Sequence, residues 1–328
     1  MTSPVVSVIL PTLNDAEYVA KAIESVISQT YTDFEIIVVD DGSTDGTVEY
    51  LNDHPDDRIE LIVRQEESGI TSAINRGIRE SQGKFIARHD ADDWSDDERL
   101  EKQVAYLDRN SEVVLVGTGA YLVDEDGIIQ SQRRVLESPS LDDLINHNEF
   151  VHGSVMMRKA VLESVGGYDE WFHTTEDYDL WLRLAEEYEV RNIDEPLYYF
   201  RQHDESLYGS NLEELKLYHL LAVRRVTSGI DDEIRSLIDE EGIDALRDRL
   251  TESEKRWFHT ELAREFLRYG DLRSGREHVV KALRLDPVSV SLPGMLLLSM
   301  TTPSIAKAAA RAYRRLINMM IGLRNWRS

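Results

Sequence analysis

A chain of 328 residues, 41% of them hydrophobic, has room for one large domain or one domain with a smaller companion. Its 62 acidic residues against 37 basic ones give a net charge of −25, and no basic face occurs in the first 300 residues, so nucleic acid is excluded as the main partner. Cysteine is absent, which excludes disulfides, thiolate metal sites and thiol nucleophiles.

The segment from Met1 to Pro4 runs straight into an apolar stretch, with no basic region or long apolar segment, so no signal peptide is expected. No stretch reaches the roughly 18 apolar residues of a membrane span. Val5-Val6-Ser7-Val8-Ile9-Leu10 reads as a buried strand stopped by Pro11. Asn14 is placed to cap a helix over Ala16 to Gln29, where Val19, Ile23, Val26 and Ile27 share one stripe. Phe34 to Val39 is a second strand, ending in the turn Asp40-Asp41-Gly42-Ser43-Thr44-Asp45-Gly46 and a helix from Thr47. A third strand, Ile59 to Val63, leads through Ser68-Gly69 to a helix over Thr71 to Ser81.

Next comes Lys84-Phe85-Ile86-Ala87-Arg88-His89-Asp90-Ala91-Asp92-Asp93-Trp94, an apolar run feeding three carboxylates. Strand and helix thus alternate four times at short spacing, which implies a mainly parallel sheet with right-handed crossovers. At the carboxyl end of such a strand an acidic cluster faces the crevice where open α/β sheets bind ligands. Its hard oxygens suit Mg²⁺ or Mn²⁺ completed by substrate phosphates. Neither Gly-x-Gly-x-x-Gly nor Gly-x-x-x-x-Gly-Lys-Ser/Thr is present, so phosphates must be neutralised some other way.

A helix over Glu98 to Leu107, short strands at Val113 to Val116, Ala120 to Val123 and Val155 to Met157, and a polar mobile connection at Ser138 to Asn148 follow. Thr174 or Thr175 can cap a helix whose first turn holds Glu176 and Asp177.

Four motifs now stand in one order: Pro11-Thr12-x-Asn14, Val39-Asp40-Asp41-Gly42-Ser43-Thr44-Asp45, Asp90-Ala91-Asp92-Asp93, and Glu176-Asp177-Tyr178-Asp179-Leu180-Trp181. Together they resemble the inverting family 2 nucleotide-sugar glycosyltransferases of the GT-A fold, over about residues 4 to 205. The resemblance implies a Rossmann-like, mainly parallel sheet flanked by helices. It implies donor-nucleotide contacts from Pro11, Thr12, Asn14, Asp41, Gly69, Asn75, Asp90 and Ala91, with Asp41 accepting a hydrogen bond from the base and Asp90 meeting the ribose. Asp92 matches the ligand of a Mg²⁺ or Mn²⁺ ion bridging the diphosphate, and His203 resembles a histidine that some members bring onto the metal or the diphosphate.

Asp177 matches the catalytic base, which deprotonates an acceptor hydroxyl as it attacks the anomeric carbon; Glu176 and Asp179 are the neighbouring candidates. The loops at His152-Gly153-Ser154 and Gly166-Gly167-Tyr168-Asp169 match those that flank an acceptor. The Gln-x-x-Arg-Trp signature of processive members is absent, which favours transfer of a single sugar. Two competing readings remain: a sugar-phosphate nucleotidyltransferase, which would need a glycine-rich basic loop after the first strand, and a non-catalytic glycan- or nucleotide-binding module, which would not need Asp177.

The expected organisation is a glycosyltransferase domain over 1–208, an all-helical extension over 209–300 and a basic amphipathic helix over 301–328. Trp257 to Tyr269 and Leu272 to Leu285 read as a helical hairpin joined by Gly270-Asp271. In the last helix Ile305, Ala309, Ala312, Tyr313, Leu316, Met320 and Leu323 form one stripe, opposite Lys307, Arg311, Arg314 and Arg315, and no acid follows Asp286. That pattern suits an anchor lying in a membrane surface; packing of the same face on the acidic domain is the alternative. The expected setting is cytoplasmic, peripheral on the membrane, with a lipid-linked or surface-glycan acceptor. An acidic surface with 29 arginines but only 8 lysines fits work in concentrated salt, where screening relaxes self-repulsion. Dialysis into low salt is therefore expected to unfold the protein, as followed by circular dichroism; an unchanged spectrum there would refute the halophilic reading.

Overall fold

Runs of β-branched residues flanked by helical stripes build the first part of the chain in strict alternation: β1 (Val6–Thr12), α1 (Val19–Ile27), β2 (Phe34–Asp40), α2 (Thr47–Asp53), β3 (Ile59–Val63), α3 (Ile70–Glu80) and β4 (Phe85–Arg88). The strands of this block are parallel and stand in the order β3-β2-β1-β4. Val8, Leu10, Val38 and Ala87 of the sheet pack with Val19, Ile23 and Val26 of α1 in one core, while Ile9 and Val39 on the other face lie against Gly77 of α3. With both faces covered, the strands read as continuous rather than alternating apolar runs. A computed structural model describes residues 3–63, 69–202, 212–287 and 292–325. It divides the chain into two compact units, Met1–His203 with Ile321–Ser328, and Asp204–Met320.

The first unit continues through β5 (Trp94–Ser95), α4 (Arg99–Arg109), β6 (Val113–Val123), β7 (Ile129–Arg133), α5 (Leu141–Asn146), a 3₁₀ turn at His152–Ser154, β8 (Met156–Arg158), α6 (Lys159–Ser164), α7 (Glu176–Glu187) and β9 (Glu189–Arg201). The sheet extends from β4 through β8, β6 and β9 to β5, with β7 paired to β6. Here β6 and β9 are parallel, while β8, β7 and β5 run antiparallel to their neighbours.

Several local expectations are corrected. Pro11 does not stop β1; its pairing with Val39 continues to Thr12. The β4 partner ends opposite Ile9, so the missing proline N–H removes no bond on that side. Two expected strands are the single β6, joined through Gly117-Thr118-Gly119. A Cβ at Gly117 would strike the Asn192 amide, and one at Gly119 would lie 3.0 Å from the Glu195 carbonyl oxygen, so glycine suits the point where the β6–β9 register shifts. Ser138 to Asn148 is not an open connection: Ser140 and Asp143 form a capping box that starts α5.

The second unit is helical: α8 (Leu212–Thr227), α9 (Asp232–Glu241), a 3₁₀ turn at Ile243–Arg249, α10 (Glu252–Tyr269), α11 (Leu272–Leu285), α12 (Leu292–Leu298) and α13 (Pro303–Asn325), whose last turn belongs to the first unit. Thr251 and Glu254 cap α10 reciprocally, Gly270 closes it at φ +88°, and Asp271 caps α11. Ala263, Leu267 and Val279 form the seam of this hairpin.

Candidate active site

Beyond β1, β2 and β3 the loops are laced together at the carboxyl edge of the parallel block. Thr12 turns its hydroxyl to Asp15, 2.8 Å away, and Asp15 donates its N–H to Thr47 Oγ1 at 3.1 Å. Asn14 does not cap α1; it sits at φ +58°, its Oδ1 accepts from Thr44 N at 2.9 Å, and its N–H donates to Ser43 Oγ at 2.8 Å. That left-handed bend is one that Asn tolerates better than most residues. Asp40, fully buried, accepts from the Gly42 and Ser43 amides and so shapes the turn that carries Asp41. Asp41, also buried, accepts from Gly69 N–H at 2.8 Å, joining the second loop to the third. Asn75 is engaged elsewhere than expected: its amide donates to Tyr168 O at 2.8 Å and accepts from Tyr168 N at 3.1 Å, which fastens α3 to the Gly166-Gly167-Tyr168 turn.

At the end of β4 the side chain of Arg88 is fully buried. Its guanidinium donates to Asp90 Oδ1 at 2.6 Å, to the Ile9 and His89 carbonyls at 3.1 and 2.8 Å, and to His152 Nε2 at 3.3 Å. Burial alone would raise the Asp90 carboxyl; the Arg88 charge, helped by His152, holds it below the usual range. Asp90 N–H donates to the Tyr198 hydroxyl at 3.0 Å. A Cβ at Gly153 would collide with both Tyr198 Oη and Asp90 Oδ2, so this turn must be glycine. Ala91 buries its methyl in the core instead of lining the crevice. Asp92 is half-buried. Arg201 clamps the motif, its N–H donating to Asp93 Oδ1 at 2.7 Å and its Nε to the Asp92 carbonyl at 2.9 Å. His203 lies outside the described residues.

The amino end of α7 closes the opposite side. Thr175 is its N-cap residue but its hydroxyl makes no cap bond, contrary to expectation. The three acids separate by environment. Asp179 is fully buried and paired with Arg183, Nε to Oδ2 2.8 Å. Glu176 is buried and pushed up to about 8, by desolvation first and the Asp177 charge second, so it is largely protonated at neutral pH. Asp177 stays partly exposed, which leaves it as the acid able to meet a hydroxyl from the crevice.

Two rings, Tyr168 buried and His152 half-buried, join the sides: His152 Nε2 lies 3.1 Å from Tyr168 Oη. His152 is pushed down to about 4, by burial and then by Arg88, against the opposing fields of Asp177 and Asp90. Tyr168 is driven up by burial, and it too feels Arg88, Asp177, Glu176 and Asp90. The carboxylates of β4 and of α7 therefore act on the same pair of side chains.

Residues 7–166 match the family model described as glycosyl transferase family 2. Over that stretch, just under half of its length, the chain is similar to the family 2 glycosyltransferases. It is 37% identical to a putative glycosyltransferase, EpsE, of Bacillus subtilis, over 51% of this chain and 61% of that protein. It is 36% identical to the putative teichuronic acid biosynthesis glycosyltransferase TuaG of the same organism, over 38% of this chain and 50% of that one. The chain thus spans between half and two thirds of the length of these two relatives. Its fold is similar to that of S. aureus TarS 1–349 in complex with UDP-GlcNAc, with a TM-score of 0.58 and 17% identity over 95% of this chain and 92% of that one. It is similar as well to the mannosyltransferase PcManGT of Pyrobaculum calidifontis, in complex with GDP-Man and Mn²⁺: TM-score 0.51, 16% identity, 99% and 88% coverage. The fold is GT-A-like, a curled sheet with mostly parallel strands flanked by helices and followed by helices at the C-terminus.

Among the described residues no group of three or more histidine, aspartate or glutamate side chains is arranged to hold a metal on its own. The family 2 acidic motif nevertheless fits a weakly held hard cation. Asp93 is raised well above its ordinary value, by burial and then by Asp92 and Asp90, so three carboxyl groups crowd one turn that a divalent ion would relieve.

Sequence reasoning passed over Arg88, Asn148, Tyr198 and Arg201. Only Arg88 left a trace, as the one charged residue inside Phe85-Ile86-Ala87-Arg88. The other three act through contacts between residues 29 to 109 positions apart, which no local pattern announces.

Proposed function

We propose that this protein is a family 2 glycosyltransferase that transfers one sugar, with inversion, from a nucleotide-diphosphate sugar to a hydroxyl acceptor. The observation that supports the reading is the packing that ties the acidic motif to α7. Arg88 bonds both Asp90 and His152, His152 meets Tyr168, and both rings pack edge-on against Trp181 of α7, one turn after Asp177. Inverting transfer needs a donor site and a base across one hollow. Asp41 and Asp90, both at the carboxyl edge of the parallel strands, take the base and ribose. The loop lacing around Thr12, Asn14 and Gly69 shapes the nucleotide cleft, and Asn75 supports it from behind through Tyr168. Asp177 accepts the proton of the incoming hydroxyl, a role that protonated Glu176 and Arg183-paired Asp179 cannot fill. Held by Asp92 and the donor diphosphate, Mg²⁺ or Mn²⁺ would neutralise charge on the departing phosphate. UDP- and GDP-sugars are the first donors to test, given the molecules bound by TarS and by PcManGT.

The acceptor in this reading is lipid-linked or part of a surface glycan, reached from the membrane surface. No described helix is long and apolar enough to cross a membrane. Ile305 and Met320, on the apolar stripe of α13, are 53% and 49% exposed, whereas Ala306, off that stripe, is buried. Leu297 and Met300 are 70% and 68% exposed. Apolar side chains left in water beside Lys307, Arg311 and Arg315, with no acid after Asp286, fit an anionic interface.

Donor binding is expected to raise the unfolding temperature in the presence of Mn²⁺, since a ligand at about 100 times its Kd adds roughly 2.7 kcal/mol. Asp177→Asn should keep that shift and lose transfer by at least about 100-fold. No response to UDP-, GDP- or dTDP-sugars, or full turnover by Asp177→Asn, would overturn the reading. Truncation before Pro303 should abolish sedimentation with vesicles containing anionic lipid; unchanged binding would reject the anchor.

A further inference from the structure

The Ser140–Asn148 segment, polar enough to pass for a loose link, is fastened to α7 at two points. Tyr178 Oη donates to the Leu144 carbonyl at 2.7 Å. Asn148 Nδ2 donates to Asp177 Oδ2 at 3.2 Å. Asn148 is itself fixed. Its Oδ1 accepts from Phe150 N at 3.1 Å, and Arg133 donates to the carbonyls of Asn148 and Phe150 at 2.7 and 2.9 Å. Asp177 Oδ1 accepts from Tyr178 N at 2.6 Å. Each carboxylate oxygen therefore has one donor from the protein, and a second lone pair remains on each for a substrate proton.

We infer that Asn148 is a positioning residue for the transfer reaction, its amide fixing the rotation of the Asp177 carboxylate toward the acceptor hydroxyl. The inference rests on the assignment of Asp177 as the base. A neutral amide suits the task, because it orients the carboxylate without cancelling the charge that draws the proton, as an ammonium or guanidinium would. The torsion between carboxylate and Cβ is soft, so without this contact the Tyr178 N–H alone holds one oxygen and the other swings through a wider range about the line of proton transfer. The charged and titratable groups around this contact are Glu176 and Tyr178 on α7, Arg133 on β7 at the Asn148 carbonyl, and, through their fields, His152, Tyr168, Arg88 and Asp90. None of them is altered by a change at 148.

The test measures nucleoside diphosphate release from UDP-GlcNAc or GDP-mannose, whichever stabilises the wild-type full chain, with water as acceptor. Asn148→Ala should lower kcat roughly 10- to 100-fold and leave the donor KM and the donor-induced thermal shift near wild type. Asn148→Asp, which sets a like charge against Asp177, should move the acid limb of the kcat profile up by about one pH unit. In the Asp177→Asn background Asn148→Ala should cost nothing further. Wild-type kcat in Asn148→Ala, a superimposable pH profile in Asn148→Asp, or full additivity with Asp177→Asn would overturn the inference. Turnover retained by Asp177→Asn alone would instead remove the base assignment beneath it.

Discussion

A guanidinium with no exposed surface lies under the mouth of the parallel strands, and the catalytic end of this fold is assembled around it. Arg88 could not be buried alone, since an unpaired charge in a low-dielectric interior costs several kcal/mol. Its surroundings answer with the carbonyls of β1 and of its own turn, the Asp90 carboxylate and the ring of His152. Each of those partners is thereby located: Asp90 at the head of the acidic motif, and His152 in the turn that reaches Tyr168.

From that point the chain of constraint runs to both halves of the crevice. Tyr168 is gripped by Asn75 from α3, so the helix after β3 sets the position of the Gly166-Gly167-Tyr168 turn. Arg201 and Tyr198, on the last strand of the sheet, hold the acidic motif from the other side. The long β6–β9 pairing, eased by Gly117 and Gly119 where its register shifts, brings that strand back beside β4's turn. Burial then sorts the carboxyl groups by chemistry: Asp179 paired, Glu176 protonated, Asp177 open.

The alternation from Val6 to Arg88 was legible in the sequence because hydrophobic period and turn chemistry are local signals. So were the acidic motif and the first turn of α7, which rest on residue type at fixed spacing. Side-chain partners were not. Asn14 reads as a cap and as a donor contact and Asn75 as a donor contact, and only the folded chain shows them closing on Thr44 and Tyr168. Ala91 sits in the right motif but buries its methyl in the core, a placement that residue type and spacing do not announce. Ser138 to Asn148 misled through its polarity: the same Ser and Asp that suggest a loop form a capping box, and its Asn meets Asp177 across 29 positions.

The claim on which this rests, that one buried charge holds the two sides of the crevice together, is tested most directly by a double-mutant cycle of Arg88→Met and Asp90→Asn in chemical denaturation. Removing the cation alone strands a buried carboxylate and should cost about 3–5 kcal/mol, and the double variant should recover a good part of that loss. An Arg88→Met protein as stable as wild type, or costs that simply add, would contradict the account.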